Sequence, residues 1–202
     1  MIIFMSDILC ITNRSLCGED FLVRLERIAS GRCAGIILRE KDLSAKEYEV
    51  LAEKVLPIVR ARQVPCILHS YPQAAEHLGV DAIHLPLPVL KSLSGQQRRN
   101  FRVLGASCHT VEEAREAERL GCTYITAGHI FYTDCKKGLA PRGLHFLQRV
   151  CREVSIPVWA IGGICPDNFH LVKGAGARGG CVMSALMSCE DPGALLDAFR
   201  DS

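Results

Sequence analysis

The chain has 202 residues, a formal net charge of +2, and 49% hydrophobic against 23% charged residues. That length supports one sizeable core and is short for two α/β domains with a linker. So small a net charge gives no broad basic surface for nucleic acid or an anionic membrane, and no apolar run is long enough to span a bilayer.

The opening MIIFM lacks the basic start and the longer apolar stretch of a secretion signal; it reads as the approach to a first strand, in a cytoplasmic protein. Eight short, almost continuously apolar runs follow: DILCITN, AGIILRE, PCILHS, DAIHLPL, RVLGASC, TYITAGHIF, IPVWAIGGI and GGCVMSAL. Such runs suit parallel strands buried on both faces. Segments of helical period lie between them. FLVRLERIA places Phe21, Leu22, Leu25 and Ile28 along one face. SAKEYEVLAEKVLPIVRAR is longer, opens on a capping box of Ser44 and Glu47, and contains Pro57, which predicts a kink. VLKSLSGQQRRNF is the weakest helical segment and reads as mostly loop. TVEEAREAERLG predicts a helix with a Thr110–Glu113 capping box and Gly121 at its end.

Eight strand–helix units in one chain predict a compact (β/α)8 TIM barrel, one domain over residues 1–202. The doubly wound alternative does not need eight units, and no GxGxxG follows the first strand. The eleven cysteines show no CxxC pair and no histidine at finger spacing. Most sit in apolar runs, as in PCILH and GGCVM, and read as reduced structural thiols.

A barrel of this kind carries its chemistry at the C-terminal ends of the strands. The residues expected there are Arg39-Glu40-Lys41, His69-Ser70, His84, Ser107 with Cys108, His109 and Thr110, His129, Gly162-Gly163, and Ser184-Ala185. Gly162 and Gly163 are expected to let backbone amides approach a ligand. With Ser184 and Ala185 at the start of a short extra helix, they form a predicted phosphate cradle. His129 stands where the sixth apolar run gives way to a polar loop, GHIFYTDCKKG. Imidazole is the side chain best suited to moving protons near neutral pH, so His129 is the candidate proton carrier. Lys136 and Lys137 in that loop can meet an anionic group. His69, His84, His109 and His145 show no HxH or HExxH spacing, so no metal site is expected.

GASCHT, TAGHIFYTDCKKG, IPVWAIGGICPDN and CVMSAL, in that order, resemble the thiamine phosphate synthase superfamily, over about Arg39 to Ser188. The resemblance is to its TenI-type thiazole tautomerases more than to its synthases. The synthase pattern has Gln-x-Arg where this chain has Ile37-Leu38-Arg39, and Asn-Asp where it has His69-Ser70. It has Gly-Gln-x-Asp where this chain continues His84-Leu85-Pro86-Leu87-Pro88, and Gly-Pro-Ile-Phe where it has Gly128-His129-Ile130-Phe131. The two lost aspartates are the family's Mg²⁺ ligands, and without carboxylates a Mg²⁺ site is hard to build.

The resemblance implies aromatisation of a carboxy-methylthiazolylidene-ethyl phosphate in thiamin biosynthesis, by proton transfer through His129, with no metal and no cofactor. By position it gives Arg39 and Lys136 to the substrate carboxylate and Thr133 to a hydrogen bond. Ser107 and His69 fall to the substrate site, and Gly162, Gly163, Ser184 and Ala185 to the phosphate. Cys135 receives no role. The implied partner is a small phosphorylated thiazole carboxylate, and the sequence leaves a homo-oligomer open. Two alternatives stand beside this reading: a thiamine phosphate synthase-like transferase, and a non-catalytic regulatory barrel that binds a phosphorylated metabolite.

Overall fold

A computed structural model describes residues 6–202; the MIIFM segment lies outside the described residues. Eight parallel strands close into one barrel in sequence order. They are β1 (Ile8–Ile11), β2 (Gly35–Leu38), β3 (Cys66–His69), β4 (Ala82–Pro86), β5 (Val103–Cys108), β6 (Tyr124–Gly128), β7 (Val158–Ile161) and β8 (Gly179–Val182). Every residue of β1, β2, β6 and β8 is buried, which is why those segments read as unbroken apolar runs. The ring closes through β1 against β8, with Leu9 opposite Cys181. This is the (β/α)8 TIM barrel expected from the sequence.

The outer layer comprises α1 (Phe21–Ser30), α2 (Ala45–Ala61), α3 (Pro72–His77), α4 (Leu87–Ser92), α5 (Gly95–Arg99), α6 (Val111–Arg119), α7 (Gly143–Glu153), α8 (Pro166–Gly174), α9 (Ser184–Ser188) and α10 (Pro192–Arg200). Leu25 and Ile28 of α1 are fully buried against the barrel, while Phe21 and Leu22 are only partly covered. α2 opens on the Ser44–Glu47 box and continues through Pro57 to Ala61.

Two local expectations need correction. The segment after β4 is not mostly loop: it forms α4 and α5, and α5 has its own box, with Ser94 accepting from the Gln97 amide and Gln97 accepting from the Ser94 amide. Its short runs hide that helicity, because two five- or six-residue helices cannot display a full apolar period. The Thr110–Glu113 box is only half made. Thr110 accepts from the Glu113 amide, but the Glu113 carboxylate accepts from the amide of His109, one residue earlier. All eleven cysteines are free thiols. Cys10, Cys33, Cys108, Cys122 and Cys181 are buried in the core, where burial pushes their pKa values upward.

Candidate functional site

A cavity of about 520 Å³ opens at the C-terminal ends of the strands. Each strand sends at least one side chain to it, among them Ile11, Ile37, His69, His84, Ser107, Thr126, Ile161 and Cys181. The ten residues given catalytic, substrate or phosphate roles line it: Arg39, His69, Ser107, His129, Thr133, Lys136, Gly162, Gly163, Ser184 and Ala185. Glu40, Ser70, Cys108, Thr110 and Lys137 do not, and Lys137 pairs with Asp134 at 3.6 Å instead. His145 is exposed on α7 and takes no part. Lys41, His84 and His109, expected at the strand ends but without a stated role, also line the cavity, as does Thr126, which sequence reasoning missed.

At the end of β2 the chain alternates. Arg39 and Lys41 face the cavity, while the Glu40 side chain is buried and turned away. Its carboxylate accepts from Thr12 Oγ1 at 2.6 Å and from the Arg14 amide at 3.0 Å, and pairs with the Arg14 guanidinium. Thr12 in turn accepts from the Arg39 amide at 2.9 Å, so this buried node holds the backbone that presents Arg39. Lys136 reaches the same cavity from the loop after β6. Among the described residues, none of Arg39, Lys41 and Lys136 forms an ion pair. The charge of Arg39 is the largest influence lowering the Lys41 pKa, with burial and Lys136 adding to it. Burial likewise lowers that of Arg39. Three cations thus repel one another across a concave surface, an arrangement that an anion relieves.

Beneath them lies a histidine pair. The His84 ring is stacked on that of His69 at 5.9 Å between centroids. His84 Nδ1 lies 2.9 Å from the Tyr124 hydroxyl, and its Nε2 lies 2.9 Å from Ser107 Oγ. Burial pushes His84 down to about 3. Burial, reinforced by His84, Arg39 and Lys41, pushes His69 down to about 2. Both rings are therefore neutral under ordinary conditions. His69 Nδ1 meets Ser70 Oγ at 2.8 Å.

His129 follows β6 and is partly exposed at the mouth, with Nε2 3.3 Å from the Leu139 carbonyl. The chain there continues alongside β7: the Ile130 amide donates to the Ile161 carbonyl and the Phe131 amide to the Gly162 carbonyl. This close pairing gives Gly162 and Gly163 a reason the sequence did not disclose. Both have positive φ, 98° and 67°. A Cβ on Gly162 would lie 2.3 Å from His129 Cβ, and one on Gly163 would lie 2.3 Å from the Tyr132 carbonyl oxygen. The glycine pair therefore seats His129 and the loop after it as well as lining the cavity. His109 and Arg142 both donate to the Gly128 carbonyl, from Nδ1 at 3.0 Å and Nε at 3.1 Å, and so fix the peptide that leads into His129. Across the mouth, α9 begins at Ser184, where the first amides of a helix have no partner within it. Ser184 and Ala185 are exposed there.

Among the described residues, the cavity lining contains no aspartate or glutamate. Glu40, beside Arg39 in sequence, is occupied by Thr12 and Arg14, and Asp134, beside Thr133, is exposed outside the lining, 3.6 Å from Lys137 Nζ. A Mg²⁺ ion, which asks for oxygen ligands and usually one or two carboxylates, does not fit this donor set. No helix among the described residues is long and apolar enough to cross a membrane.

Comparison with known proteins agrees with the barrel and the motifs. The thiamine monophosphate synthase (TMP-TENI) family profile matches residues 8–186. A thiamine-phosphate synthase of Syntrophomonas wolfei is 35% identical over 188 residues, covering 90% of this chain and 88% of that protein. One from Desulfitobacterium hafniense is 35% identical over 202 residues, covering 95% and 96%. The solved thiamine phosphate pyrophosphorylase of Pyrococcus furiosus superposes with a TM-score of 0.83 at 28% identity, covering 96% of this chain and 94% of that one. With the profile spanning most of the barrel and relatives aligned over nearly their whole length, the chain belongs to the thiamine monophosphate synthase (TMP-TENI) family.

Proposed function

We propose that this chain is a thiazole tautomerase of thiamin biosynthesis, an isomerase that aromatises carboxy-methylthiazolylidene-ethyl phosphate without a metal and works in the cytoplasm. The observation that carries the reading is the lining of the cavity: among the described residues it has three cations without ion-pair partners, no carboxylate, and a histidine at the mouth. That inventory suits a substrate bearing both a carboxylate and a phosphate, and a reaction that moves only a proton.

In this reading the phosphate rests on the backbone amides around Gly162, Gly163, Ser184 and Ala185, with the Ser184 hydroxyl beside them. The carboxylate faces Arg39, Lys41 and Lys136, and Thr133 adds a hydrogen bond. His129 removes the proton from the ring carbon that bears the carboxylate. The released electron pair shifts through the ring toward the exocyclic double bond. His129, now protonated, returns a proton to the exocyclic carbon, and the aromatic thiazole results. Substrate and product have the same atoms, so no oxidant or co-reactant enters. The cations offset the negative charge that builds on the substrate between the two transfers. Burial holds His69 and His84 neutral, and His109 is engaged through Nδ1 with the Gly128 carbonyl, so this reading gives the proton transfer to His129.

A second reading, a synthase-like transferase, draws support from the relatives named thiamine-phosphate synthase. It requires a divalent cation at a pyrophosphate, for which this lining offers no carboxylate.

The test is a rate with the ylidene phosphate, followed by ultraviolet absorbance. His129→Asn, which keeps a polar side chain at the mouth, is expected to lower kcat by about 10²–10⁴-fold, the usual worth of a general acid–base group. A variant as fast as the parent would keep the isomerase and remove His129 from its mechanism.

A further inference from the structure

The Tyr124–His84–Ser107 chain has a direction, set by counting hydrogens. Tyr124 is 1% exposed, and among the described residues its hydroxyl has one hydrogen-bond partner, His84 Nδ1 at 2.9 Å. The phenol ring occupies the space a side chain on Gly105 would fill: a Cβ there would lie 2.2 Å from Tyr124 Cζ. The hydroxyl is thus locked against the imidazole. A neutral imidazole has one N–H and one lone pair. If Nδ1 carried the hydrogen, the Tyr124 proton would be buried without an acceptor, at a cost of the same order as a lost hydrogen bond. If Nδ1 accepts from Tyr124, that proton is satisfied, and the ring hydrogen must sit on Nε2. Nε2 then donates to Ser107 Oγ at 2.9 Å. Thr126 Oγ1 lies farther off, at 3.5 Å from the same nitrogen. With its oxygen engaged as acceptor, Ser107 has its own O–H left to donate, and it lines the cavity.

We propose that Tyr124, His84 and Ser107 form a one-way hydrogen-bond relay that fixes His84 as the Nε2–H tautomer and presents the Ser107 proton to an oxyanion of the bound ligand. Tyr124 and His84 are positioning residues, and Ser107 is the group that touches substrate. The ligand half rests on the anionic substrate proposed above; the tautomer half does not. The burial that keeps His84 neutral keeps the relay pointing the same way, because a doubly protonated ring could no longer accept from Tyr124. Among the described residues His69, stacked on His84 and bonded to Ser70, makes no hydrogen bond to Tyr124, His84 or Ser107 and leaves the relay's direction alone.

The relay is tested by long-range proton–nitrogen correlation NMR on histidine-labelled protein, which reads directly which ring nitrogen of His84 is protonated. Nε2–H with a bare Nδ1 is the expected result, and Nδ1–H overturns the proposal. This measurement uses the unaltered protein without substrate, so it decides the tautomer even if the tautomerase reading fails or Tyr124→Phe does not fold. Calorimetric titration with the thiazole carboxylate phosphate product then reads the ligand half. Ser107→Ala is expected to weaken binding about tenfold and Tyr124→Phe about fivefold, with the double variant no weaker than Ser107→Ala alone. Tyr124→Phe and Ser107→Ala losses that simply multiply would overturn the coupling between them. In Tyr124→Phe the His84 nitrogens are expected to become a tautomer mixture; an unchanged Nε2–H signal would show that Tyr124 does not set the direction.

Discussion

Arg39, Glu40 and Lys41 are adjacent in sequence and serve two ends. The outer two face the cavity, while Glu40 binds Thr12 and Arg14 and so steadies the backbone that carries Arg39. Arg39→Ala is expected to raise KM for the ylidene phosphate by about tenfold to a hundredfold, the worth of a charge-assisted hydrogen bond, with a smaller change in kcat. Steady-state kinetics checks it, and an unchanged KM would take the carboxylate away from Arg39. The buried histidines give a second expectation, in stability. An unfolded histidine titrates near 6.5, while His84 and His69 are pushed down to about 3 and about 2. Below 6.5 the unfolded chain binds protons that the folded barrel refuses. The stability these residues contribute is therefore complete above that pH and is lost as the pH falls toward their folded values. Each costs on the order of 1.4 kcal/mol per pH unit in that window. Tm is expected to fall between about pH 7 and about pH 5, and His84→Gln is expected to flatten that fall. An equally steep curve in the variant would mean that His84 is not held neutral.

Among the elements, the junction of β6 and β7 governs the site. The extended chain from His129 to Phe131 lies so close to Gly162 and Gly163 that neither position has room for a Cβ. Gly138, in the same loop system, also has positive φ, at 82°, but a Cβ there meets nothing within 4 Å. Gly138→Ala is therefore expected to cost only backbone strain, about 1–2 kcal/mol. Gly162→Ala adds a collision with His129 to the same strain, so it is expected to cost more and to lower kcat as His129 shifts. Denaturant unfolding and turnover, measured together on both variants, check this; equal costs would contradict the steric argument. The sequence carried the glycines but not their reason, because an amide reaching for a ligand and a strand pressed against its neighbour leave the same Gly-Gly. Elements were legible where one period repeats over enough residues, as in α1, α2 and α6. They were lost in α4 and α5, each too short to show a period.

For the whole molecule, the barrel was legible because its eight strands are covered on both faces and so are apolar along most of their length, with His69, His84, Ser107 and Thr126 breaking the pattern on the side of the cavity. Its topology then supplied the address of the site, since strand ends converge on one mouth. Arg39, His69, Ser107, His129, Gly162, Gly163, Ser184 and Ala185 share that address, while Thr133 and Lys136, farther along the loop after β6, follow from the family resemblance. The His84 network stayed hidden for the opposite reason. Its partners come from three strands, and only their register brings Tyr124, beside Gly105 on β5, under His84. The family, too, was legible; relatives are named as synthases, while the cavity lining among the described residues carries three cations and no carboxylate. The most direct test runs both reactions on one preparation. Ylidene phosphate is supplied with a chelator present, and the pyrimidine pyrophosphate with thiazole phosphate is supplied with Mg²⁺. A tautomerase gives fast aromatisation, indifferent to the chelator, and no coupling, and that is the expected result. Mg²⁺-dependent coupling without aromatisation would contradict it and make the chain a synthase with an unfamiliar metal site.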